Sequence, residues 1–420
     1  MSLNLHRLVT SLSRIGRNLL RMNDTSLLLK QFPPRVRQIR MAIITETYPP
    51  EINGVAMTTG RLVAAMQDLG HWVELIRPRQ HADEIPADRD ALEEVLHTGV
   101  PIPRYGGLKF GLPAKRKLIA RWRLRRPDLV HVVTEGPLGW SAIAAAKVLK
   151  LPVTSDFHTN FHSYSQHYGL GWLNKTVNAY LRKFHNQTLA TFVPTDELAG
   201  QLGQMGYLNL RVVSRGVDTG LFSPAHRDAC LRAAWGIGEA EQVVLYVGRL
   251  AAEKNLPLVF DAFDVMRQSR PAIRLVLVGD GPQRGLWQER YPQHVFAGMR
   301  TGEDLARHYA SGDYFLFPSL TETFGNVTLE AMASGLAVLA YDYAAARQHI
   351  RHRQNGLLAP FNNADAYLEG ARQLAALSPP EIQQLRQQAA RDAAAQSWQA
   401  VFETFERQIF ELIDAPAGGF

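Results

Sequence analysis

Two doubly wound α/β units facing each other across a cleft are the fold class this chain predicts, and three observations carry that expectation. Apolar runs of strand length alternate with helical stretches, roughly six times in each half. The chain has 420 residues, too many for one ordinary core. Thr219 to about Ala229 reads as a linker, after which the second half repeats the alternation. The expected organisation is therefore an N-terminal arm over 1–40, a first domain over 41–218, a linker over 219–229, a second domain over 230–395 and a last segment over 396–420.

In the first half, Arg40–Thr45 reads as a buried strand, followed by a turn to Gly54 and a helix over Val55–Leu69 that Gly70 ends. A strand follows at Trp72–Ile76, whereas residues 79–117 are polar and rich in Pro and Gly, and show no period. Strands resume at Leu129–Val133 and Pro152–Ser155, with an Ala-rich helix over Ser141–Leu149 between them. A helical stretch near Leu173–Leu189 leads to strands at Thr191–Pro194 and Leu210–Val217. The second half repeats the pattern, with strands at Val243–Val247, Ile273–Val278, His294–Phe296, Tyr314–Phe317 and Ala337–Ala340. Helices are expected at Leu256–Arg267, Glu303–Ala310 and Val327–Ser334. An amphipathic helix over Ser397–Ile413 is placed to pack back onto the first domain.

Charge is unevenly spread. The net +7 resides in residues 1–40, where eight Lys and Arg face one acid, Asp24. Leu5, Leu8, Val9, Leu12, Ile15, Leu19 and Leu20 recur there at helical spacing between arginines, a pattern that suits an anionic membrane face and equally a disordered extension. The rest of the chain is balanced and the arm has one aromatic, Phe32, which speaks against a nucleic-acid partner. The single cysteine, Cys230, excludes an internal disulfide and fits a reducing cytoplasm. No run reaches the roughly 18 apolar residues of a spanning helix.

The stretch Pro318–Gly335 carries the most chemistry. It runs from strand end through a polar turn into a short helix, leaving the amides of Phe324, Gly325 and Asn326 without intrahelical partners at the positive end of the helix dipole. Gly325 puts no side chain between that backbone and an anion, while Glu322 and Glu330 offer acceptors for sugar hydroxyls. An ordinary strand–turn–helix unit has the same outline. Arg249 and Lys254 follow another strand end and match a diphosphate, though two solvated surface bases would look alike. Gly279, Gly281 and Gly285 miss the spacing of a dinucleotide fingerprint. His158, His162 and His167 lack carboxylates at ligand spacing, so no metal site is expected. Asp88-Arg-Asp90 is the only D-x-D and sits in a polar stretch expected to face solvent.

Glu322-Thr-Phe-Gly-Asn-Val-Thr-Leu-Glu-Ala-Met-Ala-Ser-Gly335 is similar, almost position by position, to the E-x7-E signature of retaining family 4 glycosyltransferases with the GT-B fold of two Rossmann-like domains. The resemblance covers nearly all of residues 41–395, with motifs in family order. It implies that Arg249 and Lys254, in Gly-Arg-Leu-Ala-Ala-Glu-Lys-Asn255, clamp the donor pyrophosphate together with the amides of 324–327, Val327 included. It further implies that Glu330 holds the ribose, that Glu322 holds a donor-sugar hydroxyl, and that Gly279 lies near the nucleotide. Asn53-Gly-Val55 resembles the Gly-Gly-Val loop at the donor phosphates, with Gly54 the matching glycine and Asn53 a departure that tolerates positive φ. His158 matches the histidine that faces the transferred sugar, and Asp156 and Asn160 are its acceptor-side neighbours.

Thr45–Ala56, Ser155–Phe161 and Phe317–Val327 look most like bacterial α-mannosyltransferases and sulfoquinovosyl- or glucosyl-diacylglycerol synthases. The resemblance implies same-face transfer of a hexose from GDP-mannose or a UDP-hexose, without metal or other cofactor, to a lipid such as a diacylglycerol, at the cytoplasmic membrane face. The alternatives are a non-catalytic sugar-nucleotide-binding protein and an enzyme acting on a soluble or polysaccharide acceptor.

Overall fold

The computed structural model describes residues 37–51, 53–81, 83–101, 109–158, 171–238, 240–322 and 324–415. Asn160 and the amphipathic arm as far as residue 36 lie outside the described residues.

The first half comprises β1 (Arg40–Ile44), α1 (Gly54–Asp68), β2 (Trp72–Pro78), β3 (Asp88–Arg89), β4 (Leu92–His97), β5 (Gly99–Pro101), β6 (Lys109–Gly111) and α2 (Lys115–Leu124). It continues with β7 (Leu129–Val132), α3 (Pro137–Leu149), β8 (Val153–Asp156), α4 (Gly171–His185), β9 (Ala190–Val193), α5 (Asp196–Gln204) and β10 (Leu210–Val212). They build an eight-stranded sheet in the order β10-β9-β8-β7-β1-β2-β4-β3, parallel except for the edge strand β3. Helices cover its faces, so β7 and β9 are buried at every position, the polar His131 and Thr191 included.

The second half comprises α6 (Ala229–Ala234), β11 (Gln242–Val247), α7 (Leu256–Ser269), β12 (Ile273–Val278), α8 (Arg284–Arg290), β13 (Val295–Gly298), α9 (Gly302–Ala310) and β14 (Tyr314–Phe317). Then follow α10 (Asn326–Ala333), β15 (Ala337–Tyr341), α11 (Ala344–His349), β16 (Leu357–Ala359), α12 (Ala364–Ala376), α13 (Pro379–Ala394) and α14 (Trp398–Asp414). The sheet is six-stranded and parallel, in the order β13-β12-β11-β14-β15-β16. In each sheet the strand order reverses beside the first strand, between β1 and β7 and between β11 and β14. The crevice beyond the C-terminal strand ends at such a switch point is where open α/β sheets bind ligands.

The chain passes between the sheets twice, through Val213–Asp218 and through Ala395–Ser397. The two passes touch: Val217 bridges to Ser397, and the Val217 amide donates to Gln396 O at 2.9 Å. This contact explains why the strand expected over Leu210–Val217 stops at Val212: residues beyond it leave the sheet to make the crossing. Beyond the second pass, α14 lies along the first half. Its Phe405 packs edge-on against His131 and Phe192, at ring-centroid distances of 5.2 and 4.9 Å, and Glu406 meets the buried His71 at 2.8 Å.

Two expectations need correction. Residues 79–117 are not patternless, since they hold the short strands β3–β6; their half-exposed positions lack both a continuous apolar run and a clean alternation. Nor is the basic character confined to the arm. Residues 115–126 carry seven bases and no acid. α2 buries Leu118 and Trp122 against α3 and turns Lys115, Arg116, Lys117, Arg123 and Leu124 to solvent. Asp88-Arg-Asp90 is exposed in the edge hairpin.

Candidate active site

The switch point of the second sheet gathers the loops after β11 and β14. Gly325 takes φ 94°, a left-handed conformation that suits glycine, and from it α10 begins at Asn326. The first-turn amides of α10 have no intrahelical acceptors and face the crevice end of the sheet. Opposite them, Lys254 closes a single turn after β11. Its Nζ lies 2.5 Å from Glu322 Oε1, 3.2 Å from Thr321 O and 3.3 Å from Ser319 Oγ. The structure thus brings Lys254 and Glu322 together as an ion pair, with both side chains about 15% exposed. Arg249 stands apart, 66% exposed, with Glu253 Oε1 at 3.8 Å. Gly248 and Gly279 pack back to back: a Cβ on Gly279 would come 2.0 Å from Gly248 O, so only a glycine lets the β11 and β12 loops meet this closely.

Glu330 points inward from α10. It accepts from the Tyr309 hydroxyl at 2.9 Å, and burial raises its carboxyl above the usual range, against that bond and the charge of Arg61 on α1. Arg61 belongs to the first half, so Glu330 lies where the halves meet.

In the first half, α1 starts at Gly54 because Asn53 caps it: Oδ1 accepts the Ala56 amide at 2.8 Å. Asn53 is extended, with φ −146°, so it departs from the Gly-Gly-Val loop as a helix cap and not as a left-handed residue. After β8, Asp156 Oδ2 lies 3.3 Å from His131 Nε2 and 3.4 Å from His158 Nε2. Burial alone would raise the Asp156 carboxyl; His131 and His158 outweigh it and hold the group well below the usual range. Arg215, just beyond β10, places Nη2 3.4 Å from His158 Nδ1.

The two sets of residues are joined across the cleft. Ser214 Oγ lies 3.3 Å from His349 Nε2, and the His349 ring packs edge-on against Phe324, beside Gly325. Glu197 on α5 pairs with Arg347 on α11 at 2.9 Å, and the Tyr343 hydroxyl donates to Glu322 O at 3.1 Å. Among the described residues, no group of three or more His, Cys, Asp or Glu is placed to hold a metal ion.

Arg215, Tyr309, Arg61, Glu197 and Tyr343 went unnoticed in the sequence. Arg215 had a weak signal, a lone arginine before Gly216 at a strand end; the others are ordinary helix and turn residues. Glu46, just past β1, is likewise new. Its carboxylate accepts from the amides of Gly111 and Leu138, tying the β5–β6 hairpin to the start of α3.

Two doubly wound halves, each with a switch point at its first strand, have the architecture of the GT-B class of glycosyltransferases. Similarity to known proteins agrees with it. The family model described as Glycosyltransferase Family 4 matches residues 52–221, and that described as Glycosyl transferases group 1 matches residues 241–376. A GDP-mannose-dependent alpha-mannosyltransferase of Mycobacterium tuberculosis is 33% identical over 79% of this chain and 87% of its own length. An alpha-monoglucosyldiacylglycerol synthase of Streptococcus pneumoniae is 26% identical over 72% of this chain and 71% of its own. Among solved structures, a sucrose-phosphate synthase from Thermosynechococcus elongatus shares the fold, with TM-score 0.68 and 20% identity over 90% of this chain and all of its own. The chain belongs to glycosyltransferase family 4 and is a hexosyltransferase.

Burial pushes the Glu46 carboxyl up to about 7, against its two backbone N–H bonds. A carboxyl raised on folding contributes stability that is complete below the unfolded value and lost as pH rises through the folded one. Glu46→Gln should therefore remove about 3 kcal/mol of the stability that wild type loses between pH ~4.5 and ~7.5, read from urea midpoints. Equal pH slopes in the two proteins would contradict the assignment.

Proposed function

We propose that this hexosyltransferase moves mannose or a related hexose, with retention, from a nucleotide-diphosphate sugar to a hydroxyl of a lipid acceptor at a membrane surface. The observation that supports this reading is the line of contacts from His158 through Arg215, Ser214 and His349 to Phe324, which stands at the start of α10, two residues from the Glu322 that pairs with Lys254. On donor binding, Lys254 and the exposed Arg249 would turn to the diphosphate and stabilise the charge that develops on the departing phosphate. The helix amides at 324–327 would add to that stabilisation. Glu322, released from Lys254, would accept from a sugar hydroxyl. Glu330, already paired with Tyr309, would take the ribose. Asp156 and His158 would face the transferred sugar from the acceptor side. In same-face transfer the leaving phosphate itself takes the acceptor proton, so no side-chain base is required. Side-chain cations do the work that a metal ion does elsewhere.

Mannose as the sugar and a GDP donor are supported by the name of the mycobacterial relative, and a lipid acceptor by that of the pneumococcal one. The surface of the first half supports the lipid too. The basic face of α2 lies next in sequence to the β5–β6 hairpin, where Val100, Phe110 and Leu112 are exposed. Cations beside exposed apolar side chains suit an anionic lipid headgroup region. No helix among the described residues is long and apolar enough to cross a membrane. In this reading attachment is peripheral, at the cytoplasmic face, through this basic and apolar surface, with residues 1–40 as a second contact. The presence of Arg249, Lys254, Glu322, Glu330 and His158 together counts against the non-catalytic reading.

Arg249→Ala and Lys254→Ala should each lower turnover at least ~100-fold with the donor that best raises the melting temperature among GDP-mannose, UDP-glucose, UDP-galactose and UDP-glucuronate. Near-normal turnover in both would refute the clamp. Deletion of residues 1–40 should weaken binding to vesicles containing anionic lipid, and reversing Lys115, Arg116, Lys117 and Arg123 to Glu should remove what remains, while transfer to a soluble acceptor persists. Undiminished vesicle binding in both variants would rule out the membrane contact.

A further inference from the structure

We infer that Arg215 is a positioning residue for His158, acting from the segment through which the chain passes from one half to the other. The inference rests on the reading of His158 as a residue at the reaction centre.

A guanidinium has donors only, so across the 3.4 Å gap the His158 Nδ1 must be the acceptor. The ring proton then sits on Nε2, where Asp156 Oδ2 lies at 3.4 Å. Asp156 is itself fixed, since its Oδ2 also faces His131, whose Nδ1 is 2.9 Å from Thr154 Oγ1. The imidazole lies between the Arg215 guanidinium and the Asp156 carboxylate, an arrangement that favours one tautomer.

Two further features single out Arg215. Its guanidinium is directed to His158, and the charge that acts on it is that of Asp156, the carboxylate on the other side of the same ring. Its backbone is also pinned. A Cβ on the next residue, Gly216, would come 2.6 Å from the backbone of Trp398, and Val217 bridges to Ser397. Both passes of the chain between the halves therefore touch one residue away from Arg215. A cavity of about 50 Å³ lined by His158, Arg215, Trp398, Phe402 and Phe405 lies against this contact. Movement of one half on the other would be transmitted to His158 through the guanidinium.

A rival role is direct contact with a donor phosphate, because Arg215 Nη1 lies 4.0 Å from where a Cβ on Gly54 would stand, at the start of α1. Steady-state kinetics on the full chain separate the two, using Arg215→Met, Arg215→Lys, His158→Ala and the double variant His158→Ala/Arg215→Met. Positioning predicts that Arg215→Met lowers kcat about 30- to 100-fold with donor KM within about threefold. The double variant should fall within about twofold of His158→Ala alone, because the arginine has nothing left to orient. Arg215→Lys, which keeps the charge without the planar fork, should recover only part of kcat; if the Met variant does not fold, the same cycle run with Lys decides. Losses that multiply in the double variant, or a donor KM raised at least about tenfold with kcat retained, would overturn the inference. His158→Ala with wild-type kcat would instead overturn the placing of His158 at the reaction centre.

Discussion

The ion pair between Lys254 and Glu322 is the constraint around which the cleft is arranged. It joins the turn after β11 to the turn after β14, the two strands that flank the switch point of the second sheet. Lys254 also donates to Thr321 O and lies within reach of Ser319 Oγ, so one ammonium holds the polar turn that precedes Gly325. A partly buried ion pair contributes little net stability, since desolvation offsets most of the attraction. Its members can therefore exchange partners at small cost, provided each finds one of the right kind. A diphosphate for the lysine and a sugar hydroxyl for the glutamate meet that condition together, and neither alone does.

The first half completes the cleft through two contacts of different character. Ser214–His349 lies beside the chain crossing and close to Arg215 and Phe324. Burial lowers His349 to about 4, so the contact is made by a neutral ring at physiological pH. Glu197–Arg347 is a more exposed pair farther along the cleft, of the sort that forms and breaks with little penalty. The first contact lies beside the chain crossing and the second away from it. Helix α14 adds a third tie to the first half by packing Phe405 edge-on against His131.

Much of this was legible in the sequence, and the reasons are physical. Parallel strands covered on both faces are mostly apolar, which is why β1, β7, β11 and β14 stood out as short, largely apolar runs. The Glu322-to-Glu330 spacing was legible because a strand end, a turn and a helix start leave residue-type signatures in fixed order. What escaped has a common cause, dependence on partners distant in the chain. Tyr309 meets Glu330 from a different helix, and Arg61 influences it from the other half. Asn53 could be recognised as a cap only once α1 was known to start at Gly54. The edge strands β3–β6, too short for a period, were lost with the basic face of α2 that follows them.

The most direct test of the exchange of partners is calorimetric titration of the nucleoside diphosphate, without sugar, into Glu322→Gln and wild type. If Lys254 is held by Glu322 in the empty cleft and released to the phosphates, removing that carboxylate charge leaves diphosphate binding as tight as in wild type or tighter, while hexose transfer collapses. Diphosphate affinity that falls together with transfer would mean that the pair is structural, and would contradict the account.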